Sequence, residues 1–508
     1  MLEKQSSRWT FDTWQFHTRQ LLNEMGTGLI TPSAYDTAWV ARLIEQDQDL
    51  AEAALEWLCT NQLADGSWGT KKPVCYHDRV ICTLSALIAL AHYPGDNRYR
   101  NLITKGKGFM DGLARDGTRR LMANPAGATV GFEMLAPALL AEANQLGILE
   151  NQGDNILRRL ESLRHQKLAK LSGKNIDRTI TAAFSVEMVG ENLSRIDIDN
   201  LPETNGSIAY SPSATTFYLL KIKPGEQTAL AYLSKAARNG AFPYVSPTDV
   251  FECAWSLWNL AMTDWGKSLK DSCTKHLEIL ERAWKPGIGV AAATGLSLID
   301  GDDTAMTFEA VRRWGHSLDT KALLSFEAAE HFLCFKLEAD PSISTNIHLL
   351  GALRGAGYDH LHPSVQKILG YLSTNRMASG MWVDKWHLSP YYPTAHAIIA
   401  CTGYEEELIK SAVQGIIASQ NQDGSWGRPQ PTAEETAYAI QALCTWKRHG
   451  NSVDNQVLRI GAEWLTQHFQ PPYPPLWVGK CLYCPERVVQ ATILSALGMV
   501  FQEIKGDL

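Results

Sequence analysis

The 508-residue sequence predicts an all-α protein built from two α-barrels (α/α toroids), and three observations carry that prediction. Apolar residues recur at helical spacing almost throughout, and strand-like alternation is rare. Short turns rich in Gly, Pro, Asp and Asn separate the helical stretches, as expected for hairpins of antiparallel helices. One segment occurs twice, as Gln62-Leu-Ala-Asp-Gly66-Ser-Trp68-Gly69 and as Gln420-Asn-Gln-Asp-Gly424-Ser-Trp426-Gly427, each time between two helices. The chain is too long for one ordinary domain, and its 45% hydrophobic and 20% charged residues suit a folded protein with a sizeable core.

Taken along the chain, residues 1–14 lack the apolar core of a secretory signal. Val40/Leu43 and then Val80/Ile81, Leu84 and Leu87/Ile88 mark helices on either side of the first repeated turn. Pro94-Gly95-Asp96-Asn97 and Lys285-Pro286-Gly287 are turn signals, and Leu408/Ile409, Ala412/Val413 and Ile416/Ile417 form a clear apolar stripe before the second repeat. In the repeat, Gly permits the tight turn, Gln can bond helix-end backbone groups, and Trp can cover the junction of neighbouring helices. The second copy leads into Thr432-Ala-Glu-Glu435, a capping box that opens a helix just before Tyr438 and Ile440.

The net charge of -7 is spread without basic or acidic blocks, which argues against a nucleic-acid partner or a polybasic membrane anchor and favours a small-molecule ligand. Ten scattered cysteines read as reduced thiols of a cytoplasmic protein. The pair Cys481 and Cys484 has no second pair at zinc spacing and reads as ordinary buried cysteine. No run reaches the roughly 18 apolar residues of a membrane span.

Asp300-Gly301-Asp302-Asp303 follows a small-residue, apolar stretch from Gly289 to Leu296 and precedes a predicted helix. A polar turn is the plain alternative; an EF-hand fails because its Gly and terminal Glu are not at the required offsets. The cluster suits protonation of an alkene, a task that needs an acid still carrying its proton near neutral pH. Crowded carboxylates among apolar walls raise one pKa well above about 3.9. Asp302, in the middle, is the expected donor; Asp300 and Asp303 hold and tune it, and Thr304 adds a hydrogen bond. The resulting carbocation needs aromatic faces in an apolar cavity. With 16 Trp and 16 Tyr most aromatics are packing, and Trp255, Trp258, Trp382, Trp386, Tyr391 and Tyr392 are the candidates for the wall.

Further stretches accompany these: Ser33-Ala-Tyr35-Asp36-Thr-Ala-Trp39, Thr129-Val-Gly-Phe132-Glu133, Glu203-Thr-Asn205-Gly206-Ser207 running to Ser211-Pro212-Ser213, Ser342-Ile-Ser-Thr-Asn346, Asp384-Lys385-Trp386-His387 and Thr432 to Tyr438. With them the sequence resembles bacterial class II diterpene cyclases over nearly its whole length, the halimadienyl (tuberculosinyl) and kolavenyl diphosphate synthases above all. The resemblance implies the βγ terpene cyclase architecture: residues 1–25 as the N-terminal helix of the β domain, 26–239 as an inserted γ barrel, and 240–508 as the β barrel carrying the acid. It implies geranylgeranyl diphosphate as substrate, with the diphosphate retained because the DDxxD and NSE-type clusters of class I synthases are missing. Lys167 matches a diphosphate contact, with Lys385 and Lys480 as further candidates. Mg²⁺ is expected from the substrate's charge, with its ligands unknown, since Met122 to Thr129 contains no carboxylate where plant relatives carry an acidic motif. Where plant relatives hold a deprotonating water with His and Asn, this chain has Phe184 and Tyr244. The bicyclic cation is therefore expected to rearrange to a halimane or clerodane skeleton. The tuberculosinyl-type pattern carries Thr where this chain has Asp303, which leaves the product open. A downstream class I terpene synthase is the expected consumer.

Other readings make different predictions. Copalyl or drimenyl diphosphate would follow from a retained base or from farnesyl diphosphate as substrate. A squalene-hopene type cyclase calls for a longer chain with more of the repeated turns. A prenyltransferase subunit needs an Asp/Cys/His zinc set, and a non-catalytic toroid predicts that Asp302→Asn changes no chemistry.

Overall fold

The computed structural model describes residues 9–504 except 94, 96, 116–127, 150–153, 172, 265–267 and 339. The turn expected at 94–97 and the stretch 122–129 therefore fall partly outside the described residues. Two rings of helices account for most of the chain. In the second, Asp249–Leu260, Gly301–Arg313, Ile343–Gly355, Tyr391–Cys401, Ala433–Arg448 and Glu486–Ile504 pack each on the next, and the last closes on the first. Lys270–Ala283, Pro363–Thr374, Glu406–Ala418 and Asn455–Gln467 lie outside them, joined by the N-terminal Phe11–Glu24, which packs on Glu486–Ile504 and Lys270–Ala283. The first ring runs through Ala34–Val40, Tyr76–Ala91, Phe132–Gln145, the 3-10 segment Thr181–Val189 and Pro212–Lys221.

Sequence pattern separates the two layers. Tyr391–Cys401 is buried at every residue, as a helix with apolar or small residues all round must be, whereas Glu406–Ala418 buries the stripe of Leu408, Ile409, Ala412, Val413 and Ile416. Five inner helices begin alike. Ser33, Ser211, Asp300, Ser342 and Thr432 each cap their helix by accepting a hydrogen bond from the backbone N–H three residues on. Four residues on, Thr37, Thr215, Thr304, Asn346 and Thr436 donate back to the cap's carbonyl at 2.6–2.8 Å. Some of these side chains also anchor the preceding turn: Thr215, Thr304 and Thr436 accept from the N–H of Ile208, Val290 and Trp426 at 2.9–3.0 Å. Thr304, expected to help tune the acid, instead belongs to this architectural unit.

The two recognised turns are superposable in their bonding. Trp68 and Trp426 are fully buried and donate from Nε1 to Leu58 and Ile416 carbonyls at 2.8 Å, while Gln62 and Gln420 bridge two backbone carbonyls each. Trp382 makes the same contact to Leu372 in a turn without the Gln, which places this expected wall residue in the repeat and not in the cavity.

A short antiparallel ribbon, Trp477–Val478 with Leu482–Tyr483, carries Gly479 and Lys480 to the seam between the rings. Lys480 is buried there. Its Nζ pairs with Glu187 at 2.8 Å and donates to Ser211 and Ser213 at 2.8 and 2.6 Å, and Tyr35 donates to the same carboxylate at 2.9 Å. Nearby, Asp78 accepts from the N–H groups of Thr70 and Leu482, and Cys82 lies 3.6 Å from Cys481. Both Asp78 oxygens are thus committed to backbone, and burial pushes the Cys82 thiol up, so this junction is a structural knot. The ten cysteines carry no disulfide. Among the described residues no helix is long and apolar enough to cross a membrane.

Candidate active site

A cavity of about 660 Å³ opens at the seam, within the range of ~300–1,000 Å³ that small ligands occupy. Its floor is the start of the Gly301–Arg313 helix. Asp300 caps that helix, its Oδ1 accepting from Asp303 N at 2.7 Å. Gly301 is required by contact: a Cβ there would lie 2.6 Å from the Leu333 carbonyl and against the Phe326 ring. The three carboxylates are all buried.

Burial is the main cause that lifts Asp300 to about 7, opposed by hydrogen bonds from Asp303 and the helix backbone. Burial, followed by the charge of Asp300, raises Asp303 well above the carboxylate range, and Asp303 holds its proton in a hydrogen bond to Asp300. Asp302 has a different partner. Its Oδ1 meets His348 Nδ1 at 2.6 Å, while Oδ2 has no hydrogen-bond partner among the described residues and Asp302 lines the cavity. The sequence reading missed His348. Its position two residues after Asn346 in the capped helix was visible, but only ring closure brings that helix beside the acid.

The walls are apolar and aromatic. Phe251, Trp255, Tyr244, Trp477, Tyr483, Phe184 and Trp386 line the space with Leu296, Leu298 and Ile343. Of the expected binding residues, Phe184, Tyr244 and Trp386 are in this lining. Trp258 does not: three residues beyond Trp255, and so about 4.5 Å further along the helix, it stacks on His396 at 4.8 Å behind the wall. Tyr391 and Tyr392 are also outside the cavity, Tyr392 accepting from Trp255 Nε1 at 3.2 Å. Tyr244 and Tyr483 approach to 4.9 Å, and burial raises both phenols, so they stay protonated.

Charge collects at the opposite, more exposed part of the lining. Lys167 pairs with Glu133 and, at 2.7 Å, with Asp340; Lys385 pairs with Glu338 at 2.6 Å. Lys167 and Lys385 keep 29% and 23% of their side-chain surface, and Asp340 keeps 68%, against 12% for Asp302. The cavity therefore runs from an ionic rim to a buried acid. Lys480 also lines it, and is buried with its Nζ on Glu187, Ser211 and Ser213. Among the described residues no three carboxylates converge on one metal position at the rim.

An apolar cavity that ends on a buried, proton-bearing carboxyl cluster, held by a ring of helices, defines an acid-initiated cyclase. The comparisons with known proteins agree. A family model described as squalene-hopene cyclase C-terminal domain matches residues 336–472. The type B diterpene cyclase of Mycobacterium tuberculosis is 44% identical over 96% of this chain and 98% of its own length. An ent-copalyl diphosphate synthase of a Streptomyces species is 30% identical over 92% of each chain. The solved ent-copalyl diphosphate synthase from Streptomyces platensis superposes with a TM-score of 0.79 at 28% identity, covering 96% of this chain and 99% of that one. The chain belongs to the class II diterpene cyclases.

Proposed function

We propose that this enzyme cyclises geranylgeranyl diphosphate by proton transfer from Asp302 and releases a rearranged bicyclic diterpenyl diphosphate of halimadienyl or kolavenyl (clerodane) type. The observation that carries the reading is Asp302 itself, which lines an apolar cavity and has Oδ1 held by His348 while Oδ2 has no hydrogen-bond partner among the described residues. As the proton leaves, the His348 hydrogen bond stabilises the carboxylate that forms. Asp300 and Asp303, sharing a proton, keep a second full charge from standing beside the acid. Trp255, Phe251, Trp477 and Phe184 then face the cation without offering it a nucleophile. Tyr244 and Tyr483 are protonated phenols and poor bases, which favours hydride and methyl shifts before deprotonation.

Lys167 and Lys385, whose partners are part-exposed or at the cavity lining, would take the diphosphate by exchanging those carboxylates. The hard oxygens of Asp340, Glu338 and Glu133 suit Mg²⁺, which takes one or two carboxylates and fills its shell with phosphate and water. When bound it would neutralise diphosphate charge, and the acid–base work stays with the protein side chains. Because the diphosphate survives, a class I terpene synthase that ionises it is the fitting next enzyme.

The test is incubation of purified protein with farnesyl and with geranylgeranyl diphosphate, with and without Mg²⁺, followed by dephosphorylation, mass spectrometry and NMR. A rearranged C20 alcohol from the wild type, and a fall of at least ~10³-fold in folded Asp302→Asn, is the expected result. A copalyl-type alcohol would overturn the rearrangement, a drimane the substrate length, and unreacted prenyl alcohols the whole reading.

A further inference from the structure

We propose that His396 is a positioning residue that sets the direction of the hydrogen bond between His348 and Asp302, so that the acid's proton stays on the oxygen facing the cavity. The inference rests on the reading of Asp302 as the acid.

Three consecutive inner helices contribute one residue each to a buried chain of contacts. Asp302 Oδ1 lies 2.6 Å from His348 Nδ1, His348 Nε2 lies 2.7 Å from His396 Nδ1, and His396 Nε2 is buried without a hydrogen-bond partner among the described residues. The nitrogen–nitrogen contact needs one proton, supplied by one ring or the other. Suppose His348 supplies it from Nε2. His396 then accepts at Nδ1, and its own proton sits on Nε2 as a buried N–H with nothing to accept it. His348 Nδ1 in that case is either bare, and takes the proton of Asp302, or already protonated, with Asp302 ionised. Either way the acidic proton is turned toward the imidazole or lost to it, and none is left on the oxygen facing the cavity.

Suppose instead that His396 donates from Nδ1. His348 Nε2 is then the acceptor, the proton of His348 is on Nδ1, and it donates to Asp302 Oδ1. The acidic proton of Asp302 is left on Oδ2, in the cavity. The unpartnered atom is now a bare ring nitrogen, and orphaned acceptors are tolerated better than orphaned N–H donors. The surroundings hold His396 to a single proton. Trp258 stacks on it at 4.8 Å from the Asp249–Leu260 helix, Tyr392 lies at 4.6 Å on its own helix, and Tyr438 at 5.8 Å on the next. Burial lowers its pKa well below the usual value, and His348, His387 and Arg313 add to the effect. His348 is itself braced edge-on by Trp255 at 5.8 Å and Tyr392 at 6.0 Å, so the bridge has little freedom to reorient.

The test has a spectroscopic and a kinetic arm. In substrate-free protein labelled with ¹⁵N-histidine, with resonances assigned through His348→Gln and His396→Gln, His348 is expected to carry its proton on Nδ1. His396→Gln, whose amide can still donate, should keep kcat within several-fold. His396→Glu accepts only once its buried carboxyl ionises; where ¹³C NMR shows that carboxylate, kcat should fall by at least ~100-fold with KM within about twofold. A wild-type His348 protonated on Nε2 overturns the proposal, as does a folded His396→Glu enzyme of normal kcat whose introduced carboxyl is ionised. The nitrogen shifts decide the matter even where the Glu variant does not fold. An active Asp302→Asn enzyme would remove the acid assignment separately, leaving the tautomer result to stand on its own.

Discussion

Asp300 does two jobs at once, and they pull against each other. As a cap it accepts from the backbone of its own helix, and as a buried carboxyl it is lifted to about 7. A carboxyl that binds its proton more tightly folded than unfolded costs stability progressively as pH rises from about 4 to about 7. Asparagine caps a helix as well as aspartate does. Asp300→Asn is therefore expected to be more stable than the wild type at pH 8, by an amount on the order of a few kcal/mol, with the difference shrinking toward pH 4. Denaturant unfolding at several pH values would measure it, and a pH-independent difference would contradict the assignment. The three aspartates were legible because their spacing is local. His348 and His396 were not, since nothing within the sequence joins positions 302, 348 and 396 until three helices stand side by side.

The starts of the inner helices carry the next level of information. Beside the cap, Leu333 and Phe326 leave no room for a side chain at Gly301, where a Cβ would strike the Leu333 carbonyl. Gly301→Ala should lose ~1–3 kcal/mol and displace the acid, seen as a lowered unfolding midpoint together with a large loss of kcat. Trp426, fully buried with its N–H on Ile416, should cost ~3–5 kcal/mol as Trp426→Ala, and an unchanged unfolding midpoint would refute the role of the repeated turn. Two copies of that turn were readable because Gln and Trp are both retained. The related turns at Trp382, Ile208 and Val290 were hidden, since the bonds that define them come from backbone and a threonine or helix end, which a search for identical residues does not see.

At the scale of the whole molecule, the contact that matters is Lys480. A cavity lysine looked like a ligand for diphosphate, yet it is spent on Glu187, Ser211 and Ser213, which belong to the other ring. Removing one partner of a buried ion pair strands the other charge. Lys480→Met should destabilise by ~3–5 kcal/mol, and adding Glu187→Leu should restore a substantial part of it. An additive double mutant would show that the two side chains do not act as a pair. The layered helical architecture could be read from periodicity and punctuation. The seam could not, because a lysine's burial is decided by the distant surfaces that close over it.

The common beginning of the inner helices bears on how the enzyme can change. Ser33, Ser211, Ser342 and Thr432 sit in the same local frame as Asp300, so the two rings offer several similar berths and chemistry occupies one of them. A berth becomes reactive through its companions: a following carboxylate, a glycine that lets a neighbouring strand of chain close in, and a histidine across the groove. Substitutions that preserve the cap should be absorbed at the silent berths and felt at the working one. That asymmetry gives this scaffold latitude to alter its walls, and with them its products, while the point of ignition stays fixed.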